Sequence, residues 1–265
     1  MTSPLDDPRR VAPELAVLVR AMLADPRPAY AAGARAAIEA LEAGTLVGIQ
    51  RSSSRDLLAT VDPRAVAVAA EVGALCQCLE TQSPPGDEGD LLGWIVTQDG
   101  FAGGAMVLVH EISHFRNRFV VWQMAQEHAP LLAQDSALGI PHARIRWVRA
   151  QLLNEIAARH TAFLAEEGRA PAGPMPTPAA FFACAVKIAG YPAVYNDVGV
   201  MARVVARRDP ELLRMQVASW LRGLERFAFF APDGADAGAH AAWLTEVVAY
   251  AEGGGMPAEI AEGTL

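Results

Sequence analysis

The chain has 265 residues and a formal net charge of −8; 52% of the residues are hydrophobic and 20% are charged. This composition indicates a globular, helix-rich protein and excludes a disordered chain. The acidic balance also argues against a nucleic-acid partner, because phosphate binding requires a surplus of Lys and Arg.

Neither a signal peptide nor a membrane span is predicted. Residues 1–10 include acidic residues where a signal peptide would have a basic region, and no apolar core follows them. No stretch of about 18 or more uncharged apolar residues occurs. The 3 cysteines, an odd number, fit a reducing compartment. We therefore expect a cytoplasmic protein without a membrane partner, and leave its oligomeric state open.

Residues 1–90 predict an N-terminal region of helices and short strands. Two amphipathic helices are separated by a proline-containing segment, and two short strands flank a serine-rich turn. Asp62 and Pro63 then open a third helix, as its capping residue and first helical residue, and a polar loop follows. The predicted bounds are 12–24 and 29–43 for the first two helices, 45–50 and 56–61 for the strands, 62 to about 80 for the third helix, and 81–90 for the loop.

A strand at 91–98 precedes the most informative segment, a long helix predicted over 102–127. This helix contains His110, Glu111 and His114 in the pattern H-E-x-x-H, directly after an apolar run. Two histidines four residues apart lie on the same side of a helix, so both imidazoles can bind one metal ion. The intervening glutamate is then placed to act as a general base on a metal-bound water. Buried polar groups need partners, and a metal ion bound beside this apolar helix would supply a partner for all three polar side chains of the motif.

A third protein ligand is expected downstream, and Glu155 is the preferred candidate. It lies in a helix predicted over 142–167, on a stripe of apolar residues where a lone carboxylate would be costly. The alternative for Glu155 is an ion pair with a nearby arginine: Arg144, Arg149 or Arg159. The other candidate ligands are Glu127, His128, His142, His160, Glu166 and Glu167.

This part of the chain, roughly residues 90–168, resembles the gluzincin class of zinc metallopeptidases. In that class H-E-x-x-H lies on one helix, and a glutamate on a second helix, often preceded by asparagine, completes the site. Asn154-Glu155 is similar to that second motif. The resemblance implies a mainly α (α+β) fold with a zincin-like core and a small sheet at 91–168. It also implies Zn²⁺ held by His110, His114 and Glu155, with Glu111 as the catalytic base.

Other features of the class are matched less closely or need further residues. Many members have an aspartate four residues after the ligand glutamate, which supports a metal-bound histidine; here that residue is Arg159, so the support must be built differently. In zincins an extended edge strand beside the active-site helix binds the peptide substrate, and residues 92–98 are the candidate strand. An oxyanion-stabilising residue is also expected; the candidates are Tyr191, Tyr195, Arg159 and His160.

Residues 169–265 are predicted to form a helical C-terminal region that packs on the core, either as a separate unit or within a single domain. A segment rich in proline and glycine, residues 168–178, precedes it. We expect this region to narrow the cleft, so that only an extended segment or one particular partner is accepted. The predicted helices are 178–189, 192–207, 210–230 and 237–252.

The sequence therefore predicts an enzyme, a zinc-dependent metallopeptidase that hydrolyses a bond of a peptide or protein substrate. Two histidines and one carboxylate also form the facial triad of non-haem iron enzymes, so a peptide hydroxylase that uses Fe²⁺ and 2-oxoglutarate is the alternative. A non-catalytic binding protein with a zincin fold ranks third. Such a protein would be expected to lose Glu111 first, and Glu111 is present.

Overall fold

The computed structural model describes residues 3–54, 57, 60, 76–78, 91–97, 104–126, 150, 153–162, 176–189, 210–227 and 237–254. These residues are mostly helical and include a small three-stranded sheet, which confirms the mainly α prediction. The predicted domain boundaries near residues 90 and 168 lie outside the described residues and stay predictions. The chain divides into two compact units: Met1–Phe119 with Ala158–Ala170 and Phe229–Asp233, and Val120–Ala157 with Pro171–Ala228 and Gly234–Leu265.

The first unit begins with two helices, α1 (Pro13–Leu23) and α2 (Pro28–Ala43), whose ends lie within one residue of the predicted bounds. Each begins with proline, whose missing N–H is not needed at the first helical position. Helix α2 ends at Gly44, where φ is 78°, a left-handed conformation that glycine adopts without strain. The guanidinium of Arg10 then donates a 2.6 Å hydrogen bond from Nη2 to the carbonyl oxygen of Leu41, near the end of α2.

The sheet contains strands β1 (Leu46–Arg51), β2 (Cys76–Cys78) and β3 (Gly93–Thr97) in the order β1-β3-β2. Strand β1 is parallel to β3, and β2 is antiparallel to it. The structure thus confirms the strands predicted at 45–50 and 91–98. Their burial is nearly continuous, as expected for short strands covered on both faces.

Strand β3 is the central strand, so the prediction that residues 92–98 form a substrate-binding edge is wrong. Its main chain pairs with β1 on one side and, over Gly93–Ile95, with β2 on the other, so these residues do not form a free edge for a peptide substrate. The outer edge of β1 is covered as well. The Ile49 N–H donates to the carbonyl of Arg10 at 2.8 Å, and the Ala12 N–H donates to the carbonyl of Ile49 at 2.9 Å.

Two other local predictions are wrong. Leu57 and Thr60 are helical, not part of a strand over 56–61, and Leu57 is exposed. A short apolar run does not distinguish helix from strand by its periodicity. The helix predicted from 62 to about 80 does not include Cys76 and Cys78, which lie in β2; strand pairing with β3 overrides the helical preference of that segment. Residues 61–75 lie outside the described part of the chain.

The helix that carries the H-E-x-x-H motif, α3 (Ala105–Gln126), is buried in the first unit over its middle turns. This confirms the helix predicted over 102–127. The contact with α2 is close: a Cβ at Gly33 would lie 2.9 Å from Cγ2 of Val109. Glycine therefore allows α2 to approach the turn immediately before His110. The core around it contains Leu15, Val19, Tyr30, Leu41, Ile49, Ile95, Leu108, Ile112 and Phe115.

Residues 153–162 form helix α4. The second unit contains α5 (Pro178–Ala189), α6 (Pro210–Leu221) and α7 (Ala237–Glu252). The helices predicted at 178–189 and 237–252 are confirmed. The one predicted at 210–230 is shorter, because a 3-10 turn follows at Arg222–Arg226. The helix predicted at 192–207 lies outside the described residues.

Aromatic rings join helices α5 and α7 of this unit. Phe181 meets Trp243 edge to face with ring centroids 4.7 Å apart, and Phe182 lies in the same way 6.2 Å from Tyr250. The indole N–H of Trp243 donates a 2.8 Å hydrogen bond to the carbonyl of Pro176. Within the described residues, no helix has the length and apolar character needed to cross a bilayer.

Candidate metal centre

His110 and His114 bring two ring nitrogens together on one side of α3. Their Nε2 atoms are 3.0 Å apart, and the ring centroids are 4.5 Å apart with planes at 88°. This follows from the helix itself, because residues four apart are stacked one turn above the other. Both residues are half-buried, so the pair is partly accessible to solvent.

Glu155 supplies the third group. One ligand atom from each of His110, His114 and Glu155 lies within 4.8 Å of the others. Nitrogen ligands about 2.0–2.1 Å from one tetrahedral zinc ion are about 3.3 Å apart, close to the separation of the two imidazoles. The Glu155 oxygen lies at most 4.8 Å from the two nitrogens, so a shift of about 1.5 Å would bring it to the same separation of about 3.3 Å. The donor set of two imidazoles and one carboxylate therefore fits a divalent metal ion.

The surroundings of Glu155 explain why a carboxylate there needs a partner. In helix α4, residues 153–162, all side chains are buried except that of Arg159. Glu155 itself is 6% exposed. A buried carboxylate is costly unless it is paired or bound to a metal. The sequence prediction of Glu155 on a buried stripe is confirmed; its role as a metal ligand stays a prediction.

The other candidate ligands and oxyanion stabilisers divide into two groups. His160 is buried and Arg159 is exposed, but neither joins the cluster found in the described residues. The remaining candidates lie outside the described part of the chain: Glu127, His128, His142, Glu166, Glu167, Tyr191 and Tyr195. Arg144 and Arg149, the alternative partners considered for Glu155, also lie outside it.

Glu111 lies beside the cluster and is not one of its three members. Its Oε1 is 4.0 Å from Nε2 of His110, and the residue is only 8% exposed. In the H-E-x-x-H pattern the two histidines are the ligands, and the carboxylate between them is left for the role of general base. It is close enough to accept a proton from a water molecule held next to them.

Two further polar residues next to the ligands are buried: Ser113, which sequence reasoning missed, and Asn154, which it noted only as part of the Asn154-Glu155 motif. Ser113 is fully buried and Asn154 is 7% exposed. Among the described residues, neither the Ser113 Oγ nor the Asn154 Oδ1 has a hydrogen-bond partner. Each directly precedes one of the predicted ligands, and that adjacency was the available signal. Groups of this kind can hold a water molecule or orient a neighbouring ligand.

Arg118 was also missed, and it fixes the position of α3. Its Nε donates a 2.7 Å hydrogen bond to the carbonyl of Leu91, just before β3, and its Nη1 donates to the carbonyl of Phe115 at 3.1 Å. The guanidinium lies 4.1 Å above the ring of Phe115. A buried cation with these contacts holds the motif helix against the sheet.

Comparisons of the chain with family models, with curated proteins and with solved structures found no match. The function of the chain must therefore be inferred from the side chains that the fold brings together, above all from the cluster of His110, His114 and Glu155.

Proposed function

We propose that this protein is a zinc-dependent metallopeptidase of the gluzincin type. The observation that carries the proposal is the convergence of His110, His114 and Glu155, with ligand atoms within 4.8 Å of one another. Two neutral imidazoles and one carboxylate would supply three protein ligands, the number that catalytic zinc sites use. The chemistry of this donor set supports zinc, and the same set also occurs at non-haem iron sites.

His110, His114 and Glu155 would hold the ion from two helices. When bound, zinc polarises a substrate carbonyl and lowers the pKa of a coordinated water towards about 7. The protein's own contribution is positional. The H-E-x-x-H helix is fixed by close packing against α2 at Gly33 and by the hydrogen bonds of Arg118. A rigid scaffold of this kind keeps reacting groups within the small tolerances of catalysis.

Glu111 would serve as the general base. Its carboxylate lies 4.0 Å from the Nε2 of His110, within reach of the attacking water. It would accept a proton from that water as the new C–O bond forms. It would then pass the proton to the amine nitrogen of the leaving peptide as the C–N bond breaks. Its low exposure keeps bulk water from competing for the same proton.

Elemental analysis of the untreated protein tests the metal assignment. We expect about one zinc per chain. We expect Glu155→Gln to weaken zinc binding by at least about tenfold, because an amide oxygen lacks the negative charge of the carboxylate ligand. A chain that contains stoichiometric iron, and in which added zinc does not support hydrolysis, would favour the hydroxylase instead. Undiminished zinc binding by Glu155→Gln would refute its role as a ligand.

Glu111→Gln separates catalysis from metal binding. The variant should keep its fold and its zinc but lose about 10²–10⁴-fold in kcat, because the amide cannot accept the proton. The matched control is Glu246→Gln, which makes the same chemical change at an exposed residue of α7. Peptide hydrolysis by the zinc-loaded proteins is the measurement. Loss of zinc in Glu111→Gln, or equal activity of the two variants, would contradict the assignment.

A further inference from the structure

Among the residues of α3 whose burial is described, the side that carries the metal ligands is exposed at its N-terminal end. Met106 is one turn before His110 and is 42% exposed. His110 and His114 are half-buried in the next turns. Further along the same side, Ser113 and Asn117 are fully buried. A molecule that reaches the two imidazoles along this helix must therefore approach over its N-terminal end, where Met106 lies.

The direction of helical side chains brings Met106 close to that approach. Side chains in a helix lean towards its N-terminus, so the imidazole of His110 extends back over the turn that contains Met106. The two Cα atoms are about 6 Å apart along the axis, from four residues at a rise of 1.5 Å each. One residue of an extended peptide spans about 3.3–3.6 Å. A peptide held at the imidazoles therefore places a side chain one or two residues from its reacting bond beside Met106.

We propose that Met106 forms an apolar subsite next to the metal centre, which takes the apolar side chain of a substrate residue beside the scissile bond. This inference rests on the metallopeptidase function proposed above and specifies its substrate class. Methionine suits this role because its flexible, polarizable thioether adapts to side chains of different shapes. Met106 belongs to the same helical face as the ligands, which distinguishes it from the exposed Met215 of α6.

A binding experiment tests the subsite without requiring catalysis. The probes are acetohydroxamate and its longer homologue hexanohydroxamate, which share a metal-chelating group and differ in their alkyl tails. Affinity for the zinc-loaded protein is measured by calorimetry. Each tail methylene that Met106 covers should raise the affinity about fourfold, so we expect the longer probe to bind roughly tenfold or more tightly.

Variants assign the tail effect to Met106. Met106→Leu should keep it, and Met106→Glu should abolish it, because a carboxylate beside the alkyl chain would have to be desolvated. Met215→Glu is the matched control and should behave as the unmodified protein does. All the variants should keep their zinc, since Met106 is not a ligand. Equal affinity for the two probes, or an unchanged tail effect in Met106→Glu, would overturn the proposal.

A cleavage experiment distinguishes the subsite from the catalytic function. A mixture of peptides from digested casein is incubated with the zinc-loaded protein, and the new ends are identified by mass spectrometry. We expect large apolar residues next to the cut bond, and a shift towards basic residues in Met106→Glu. Cutting without apolar preference would refute the subsite. A protein that shows the tail effect yet cuts nothing would retain the subsite and lose the peptidase assignment.

Discussion

Replacing Gly33 by alanine tests how the motif helix is positioned. An added Cβ would lie 2.9 Å from Cγ2 of Val109, 3.8 Å from its Cβ and 3.9 Å from Cε of Met22. The methionine tip can move, but Val109 is fully buried and its branched side chain has few rotamers. Overpacking of this kind costs about 1–3 kcal/mol. Alanine gains about 0.5–1 kcal/mol over glycine within a helix. We therefore expect the free energy of unfolding to fall by about 1 kcal/mol.

The assay is a double-mutant cycle followed by urea unfolding. Val109→Ala removes the atom that the new methyl group meets, so Gly33→Ala in that background should stabilise the protein by about 0.5–1 kcal/mol. The change of sign between the two backgrounds amounts to a coupling of about 2 kcal/mol. If Gly33→Ala stabilises both backgrounds equally, the close approach of α2 to the motif helix is wrong.

The same cycle has a consequence for the proposed metal centre. Val109 directly precedes His110, so displacing it should move the imidazole and weaken zinc binding. Val109→Ala combined with Gly33→Ala should restore part of the affinity. Titration with zinc in the presence of a competing chelator measures this. Zinc affinity that is unchanged in Gly33→Ala would show that the ligand position tolerates the shift.

Three further predictions concern stability. Arg10→Met leaves the Leu41 carbonyl without the 2.6 Å hydrogen bond of Arg10, and should cost about 1 kcal/mol in urea unfolding. The Arg9 guanidinium lowers the pKa of Asp7 to about 2. The stabilisation by Asp7 should therefore be complete above about pH 4 and disappear as the pH falls through about 2. Thermal unfolding of Asp7→Asn and of the unmodified protein, measured against pH, tests this. Burial lowers the pKa of His240, so stability should fall as the pH drops below about 6.5, and less so in His240→Gln.

The elements confirmed from sequence are those whose signals are local. Helices α1 and α2 begin at prolines, and α2 ends at a glycine, so their limits are set by neighbouring residues. The convergence of His110 and His114 is equally local, because it requires only four-residue spacing in a helix. These features needed no knowledge of the tertiary fold.

Two of the predictions that failed, the helix through Cys76–Cys78 and the edge position of β3, depend on segments far apart in sequence. Cys76 and Cys78 became a strand because β3 lies beside them, and the helical composition of their neighbours did not reveal that pairing. Strand β3 itself was recognised, but its central position was not. Strand order depends on which distant segments pair, and a strand's own residues do not encode that choice.

The sequence by itself determined that two imidazoles and a neighbouring carboxylate lie on one helix, because helical geometry follows from chain chemistry alone. Only the tertiary structure decided that Glu155 approaches them and that Ser113 and Arg118 are buried nearby. It also decided that Met106 remains exposed at the open end of the ligand-bearing side. Burial and the meeting of two helices depend on the summed packing of many distant side chains, and no local pattern specifies that sum.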